Sequence, residues 1–149
     1  MRLHLVVQRA SRARGLPGVA SITDWARAAL AGSGPGTAEI TVRLVGAAES
    51  ADLNKRYRGK RGATNVLSFT YDPAPGKASL TGDLVICAPV VQGEAVQQDK
   101  RPRAHWAHMV IHGILHLRGF DHIRKTDAEI MEALEIRILR RLGFPDPYV

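Results

Sequence analysis

A single cysteine in 149 residues has nothing within the chain to pair with, so an internal disulfide is excluded. Cys87 follows Leu84, Val85 and Ile86 in an apolar run. It reads as an inert core thiol on a buried strand, in keeping with a reducing compartment. Long hydrophobic runs are also missing. No segment is long and apolar enough to span a membrane, and the opening Met1-Arg2-Leu3-His4-Leu5-Val6-Val7 is too short for a signal peptide, so a cytoplasmic location is expected. Acidic residues are the minority, 14 against 21 lysines and arginines, giving a net charge of +7 and a pI near 10.2. That balance favours a polyanionic partner and says nothing about fold. What remains is ordinary for a globular protein, 45% hydrophobic and 23% charged, without repeats or low-complexity tracts. The length fits one domain, residues 1–149, with a core of its own.

Residues 3–8 are short, apolar and β-branched and read as a strand; residues 9–18 form a basic, turn-rich connection, either solvated or phosphate-facing. Ser21 and Asp24 have capping-box spacing and predict a helix with Trp25, Ala29 and Leu30 inward, broken by the Gly-Ser-Gly-Pro-Gly run at 32–36. Clean alternation over 39–45 predicts a half-buried strand, and a short helix is expected over 47–57, ending at Gly59. Residues 64–71 make another strand, followed by the proline-rich connection at 72–76. Residues 82–88 are apolar without alternation, as in a strand at the centre of a sheet. A helix begins near Pro89, and 103–117 is apolar nearly all round, which predicts a buried central helix. The last helix carries Thr126 and Glu129 as a capping box. Its core face is Ile130, Leu134, Ile138 and Leu142, with glutamates 129, 132 and 135 early and arginines 137, 140 and 141 late, as the helix dipole prefers. The sum is an α/β (α+β) domain: a small mixed four-stranded sheet with about five helices.

The chemistry concentrates in residues 112–122, where His112, His116 and His122 are spaced by four and six. In a helix the first two are one turn apart on one face. Gly119 stands where such a helix ends in a left-handed residue, and the chain can then turn His122 back toward the pair. Three converging imidazoles make a tripod for one zinc ion with a fourth position open, a catalytic rather than a structural pattern. His105 and His108 continue the same helical stripe, and His108 is expected beside the site, behind the ligands or facing substrate. The spacing also matches the zinc peptidases with H-E-x-x-H-x-x-G-x-x-H, but the position of their general base holds Gly113. That one residue argues against proteolysis. Asp121 either orients His122 or simply forms the turn.

A second cluster, residues 54–62, holds five cations in nine residues: Lys55, Arg56, Arg58, Lys60 and Arg61. They suit the end of a helix dipole, and equally a phosphodiester, for which arginine offers a planar bidentate donor set. Beside a hydrolytic zinc the phosphate-binding reading of this cluster gains, with single-stranded RNA a natural substrate and DNA or small phosphoesters open as alternatives.

With these motifs in view the chain resembles the YbeY family of bacterial endoribonucleases, nearly end to end from about Glu39. The family's H-G-x-L-H-L-x-G-x-D-H stands at residues 112–122 and its N-x-x-Y-R-G-K at 54–60. Its T-N-V-L-S-F stands at 64–69, G-D-L-V-I at 82–86 and M-E-x-L-E at 131–135. The resemblance implies a single α/β domain with zinc on His112, His116 and His122, Arg58 in the active cleft, and RNA as substrate. It further implies maturation of small-subunit ribosomal RNA, ribosome quality control and association with ribosomal proteins. Two departures, Arg118 at a usually apolar position and Arg124-Lys125 in a usually acidic stretch, predict a more basic rim. The expected activity is a zinc-dependent endoribonuclease in which Arg58 holds the phosphate and His112 serves the metal. The alternatives are another metal-dependent hydrolase of peptidase type, or a ribosome-assembly factor whose metal is mainly structural.

Overall fold

The computed structural model describes residues 1–72, 75 and 79–149; Pro73, Ala74 and Gly76 of the proline-rich connection lie outside them. In chain order the elements are β1 (Arg2–Arg9), α1 (Val19–Leu30), β2 (Thr37–Val45), α2 (Ala47–Arg58), β3 (Val66–Tyr71), β4 (Leu80–Cys87), α3 (Ala88–Gln97), α4 (Pro102–Leu117) and α5 (Lys125–Arg141). The sheet order is β1-β2-β4-β3, parallel except where β3 runs against β4 with Val66 opposite Ile86. This is the small mixed α/β sheet expected. No helix among the described residues is long and apolar enough to cross a membrane.

Strand β4 lacks alternation because both of its faces are covered. Leu84 and Ile86 enter the main core with residues of α1, α4 and α5, while Val85 and Cys87 join Val45 and Leu67 in a second cluster under Leu53 of α2 and Val90 of α3. Each large apolar side chain so buried contributes about 1.5–3 kcal/mol against exposure. Cys87 is fully buried, the core position its neighbours predict.

Helix α4 is buried nearly all round, since the sheet lies beneath it and α1, α3 and α5 pack around it. Gly113 sets its distance from the sheet: a Cβ there would stand 2.8 Å from a methyl of Leu84. The helix stops in a Schellman turn, Gly119 N–H donating to His116 O and Phe120 N–H to Leu115 O, both at 3.0 Å. Gly119 takes φ +99°, a conformation that a side chain would strain.

Two capping expectations are corrected. Helix α1 begins at Val19, directly after Pro17-Gly18, so Ser21 already lies inside the first turn and no side chain caps the end. Helix α5 begins at Lys125, again without a side-chain cap, and Thr126 is exposed. On α5 the expected core face holds at Ile138, which is buried, and at Leu134 and Leu142, which pack half-buried against the core; Ile130 is instead exposed, and Met131, Glu135 and Leu139 are buried.

Candidate metal centre

Helix geometry places His112 and His116 on one face of α4, and the turn at Gly119 returns His122 to them. The ring centroids lie 4.7 Å (His112–His116), 4.9 Å (His116–His122) and 5.4 Å (His112–His122) apart. One nitrogen of each ring falls within a single 4.8 Å cluster, and His116 Nε2 stands 3.0 Å from His122 Nδ1. Tetrahedral zinc with bonds of about 2.0–2.1 Å would set its ligand nitrogens roughly 3.3 Å apart, so three neutral imidazoles in this spacing fit such an ion. His122 is exposed and the other two are half-buried, which leaves the outer side of the cluster open. Asp121 is the turn-former: its Oδ1 accepts from the backbone N–H groups of His122 (2.7 Å) and Ile123 (3.3 Å).

Burial pushes the His116 imidazole down to about 4, helped by the neighbouring His112 and His122 and, more weakly, by Arg58. At neutral pH it is therefore a free-base imidazole. Arg58, the last residue of α2, is thus among the charges that bear on His116. Lys60 and Arg61 follow it in an exposed turn. Two buried polar residues of α2, Ser50 and the Asn54 that opens the N-x-x-Y-R-G-K motif, hold that turn. Asn54 Nδ2 donates to Gly62 O at 2.9 Å, and Ser50 Oγ bonds both the N–H and the C=O of Thr64 at 3.0 Å. Their signal was their position, one helical turn apart on the inner face of an otherwise charged helix.

His108 does not reach the open side. It is buried behind His112, its Nε2 2.6 Å from Glu135 Oε2, so the substrate-facing place for it is corrected in favour of the one behind the triad. The Glu135 carboxylate also lies 3.3 Å from His112 Nδ1 and accepts the Tyr148 hydroxyl at 2.9 Å. Burial alone would raise this acid, but the hydrogen bonds from His108 and His112 outweigh it and hold the carboxyl near 2. Tyr148 is pushed up by burial and by the charge of Glu135. Neither residue figured among the expected site residues: Glu135 had been accounted for by the helix dipole, and Tyr148 lies next to the chain's end.

Arg118 is the second correction. Its guanidinium turns back to α1, donating to Ala29 O at 2.8 Å and lying over the Phe120 ring, so it ties two helix ends together and adds nothing to the rim. Arg124 and Lys125 are exposed where the more basic rim was expected. Gly113 faces Leu84 and Val66 of the sheet, so a glutamate there would have no room.

The comparisons agree with one another. The family model described as "Endoribonuclease YbeY" matches residues 19–143. Three curated proteins named endoribonuclease YbeY align with nearly the whole chain. That of Aromatoleum aromaticum is 54% identical, covering 99% of this chain and 93% of its own. Those of Methylococcus capsulatus and Nitrosococcus oceani are 53% and 48% identical, covering 98% and 99% of this chain and 95% and 98% of theirs. The solution structure of TM1509 from Thermotoga maritima has the same fold, with a TM-score of 0.55 at 20% identity over 93% of this chain and 92% of that one. The likeness therefore reaches well before Glu39, into the first helix.

Proposed function

This chain belongs to the endoribonuclease YbeY family, and from that premise we propose that it is a zinc-dependent endoribonuclease cutting single-stranded RNA. The observation that carries the metal part is the three-imidazole cluster within 4.8 Å, open on its outer side. His112, His116 and His122 would hold one zinc ion. Bound there, zinc would supply Lewis acidity to the scissile phosphodiester and to the attacking oxygen.

The chain's own residues do the rest. Arg58, fixed in charge and held at the end of α2, binds and orients the phosphate and stabilises the negative charge that grows on it. Lys60 and Arg61, on the exposed turn that Asn54 pins, draw the backbone of the strand along the same edge. The net charge of +7 favours that encounter. A histidine cluster open on its outer side suits a single strand, which can bend its scissile bond into the site. The physiological task we assign is maturation of the small-subunit ribosomal RNA 3′ end and ribosome quality control in the cytoplasm. Family likeness supports that assignment, with the ribosomal small subunit and its proteins as partners.

A peptidase reading is disfavoured by Gly113, whose place against Leu84 leaves no general base there. The deciding experiment measures zinc content and then cleavage of a single-stranded RNA by wild type, Arg58→Ala and His116→Ala. Stoichiometric zinc with cleavage lost in both variants supports the mechanism. Full activity in a zinc-free His116→Ala would trace the cleavage to a contaminating nuclease, and an assembly factor with a mainly structural metal would then be the better reading.

A further inference from the structure

Glu135 comes from α5 and Tyr148 from the segment after it, yet both converge on the rear of the histidine cluster. We propose that Glu135, braced by Tyr148, is a positioning residue that fixes His112 with its proton on Nδ1 and its Nε2 lone pair toward His116 and His122. The proposal rests on the reading of those three histidines as a metal site.

The donor inventory carries the argument. An ionised carboxylate only accepts, so each group in contact with it must present a hydrogen. The contacts are the Tyr148 hydroxyl at 2.9 Å, His108 Nε2 at 2.6 Å and His112 Nδ1 at 3.3 Å. Glu135 is 1% exposed, so its oxygens are turned to these three groups and away from bulk solvent. His108 with its proton on Nε2 keeps a bare Nδ1, and that atom is indeed buried without a hydrogen-bond partner. A bare acceptor is more readily left so than an N–H. His112 with its proton on Nδ1 keeps Nε2 as its free nitrogen. One buried carboxylate therefore selects the tautomer of both rings. A ligand imidazole whose other nitrogen donates to a carboxylate is the arrangement that orients and strengthens metal-binding histidines generally. The brace is anchored at its far end too, where Lys100 Nζ donates to Pro147 O.

His108, His112 and Glu135 also bring three donor atoms within 4.8 Å, the spacing of a second ion site. The 2.6 Å contact between His108 and Glu135 argues against it, because a cation would have to separate atoms already in hydrogen-bond contact in a closed interior.

The test uses the full chain, isotopically labelled and freed of metal, with the tautomer of each histidine read by ring-nitrogen NMR. Zinc affinity is then measured by chelator competition for wild type, Glu135→Gln and Tyr148→Phe. The expected result is an Nδ1-protonated His112 in wild type and loss of that preference in Glu135→Gln, with zinc bound roughly 10- to 100-fold more weakly. An unchanged His112 tautomer with wild-type zinc affinity in Glu135→Gln overturns the proposal. So do two zinc ions per wild-type chain, which would make Glu135 a ligand. Should Glu135→Gln fail to fold, Tyr148→Phe decides. A loss of roughly fivefold, the worth of one net hydrogen bond, supports the brace, and unchanged affinity overturns it. Wild-type protein that takes up no zinc sinks the metal reading itself, a result distinct from any change between variants.

Discussion

His105 and His112 sit two turns apart on α4, and each hydrogen-bonds a carboxylate, but the two carboxylates live differently. Glu94 takes His105 Nε2 at 2.9 Å and the Asn65 amide at 3.3 Å, and stays 26% exposed. Glu135 is 1% exposed and takes two imidazoles and a phenol. Beyond its ring, His105 ends in a buried Nδ1 with no partner, whereas His112 faces two further imidazoles and an open side. The first pair is a strut joining α3 to α4. The second is a strut with a working end. A carboxylate behind an imidazole marks a functional centre only when the imidazole's other side is free to bind something.

The sharpest way to break this comparison is to remove one imidazole from each end. His116→Ala is expected to lose zinc and at least about 100-fold in RNA cleavage, the usual scale for deleting a group that stabilises developing charge. His105→Ala, measured on folded protein, is expected to stay within about threefold of wild type while unfolding at lower urea. Equal loss of cleavage in the two variants would erase the distinction between strut and site.

The carboxylates should separate next, in stability rather than activity. Glu135→Ala strands the buried His108 and takes the carboxylate away from the half-buried His112 and from Tyr148, and is expected to cost about 3–5 kcal/mol in urea unfolding of the metal-free protein. Glu94→Ala leaves a site that water can reach and is expected to cost about 1 kcal/mol. Matching costs would mean that burial is not what distinguishes them.

Much of this was legible beforehand. The histidine spacing and Gly119 specified the turn that gathers the triad, and the unalternating run before Cys87 marked the doubly covered strand. Glu135 was hidden because a charge on an amphipathic helix is normally solvated, and its inward turn is set by partners on another helix. Reading α5 by its apolar period placed Ile130 inside, and the structure puts it 54% exposed. A buried acid facing His108 and His112 was the competing solution, visible only once α4 and α5 are packed. The capping boxes failed for a local reason: entry into each helix came earlier than the matching side chain. Arg118 was misread because charge pattern gives no direction, and its nearest free acceptor was the carbonyl end of α1.

Gly113→Ala tests the sheet beneath both ends. Its Cβ would meet Leu84 at 2.8 Å and Val66 at 3.3 Å, and overpacking of that kind is expected to cost about 1–3 kcal/mol. The displacement would act on the triad end of α4 more than on His105, twelve ångströms up the helix by the ~1.5 Å rise per residue. Zinc affinity should therefore fall along with stability, and a variant that loses stability alone would show the site to be insulated from the packing under it.

Protons offer the mildest way to sharpen the comparison. Burial lowers both His105 and His116, His116 to about 4 from an ordinary 6.5, with burial the largest cause in each. A histidine depressed in the folded state takes up protons more readily when unfolded. Its contribution to stability is thus complete above pH 6.5 and is lost as the pH falls from there toward the folded value. For His116 in the metal-free protein the window runs from 6.5 down to about 4, worth about 1–3 kcal/mol once its partial exposure is discounted. His105 loses stability in the same direction from 6.5 downward, and in a sense independent of metal. Urea midpoints measured from pH 7 to 4 should therefore fall less steeply in His116→Ala than in wild type when both are metal-free. With zinc present, wild type should gain stability at pH 7 and lose that gain on acidification, because protons compete for the ligand nitrogens. The His105 share of the slope should be the same with and without zinc. A slope from His105 that zinc abolishes would join the two ends of α4 into one titrating unit and dissolve the contrast between them.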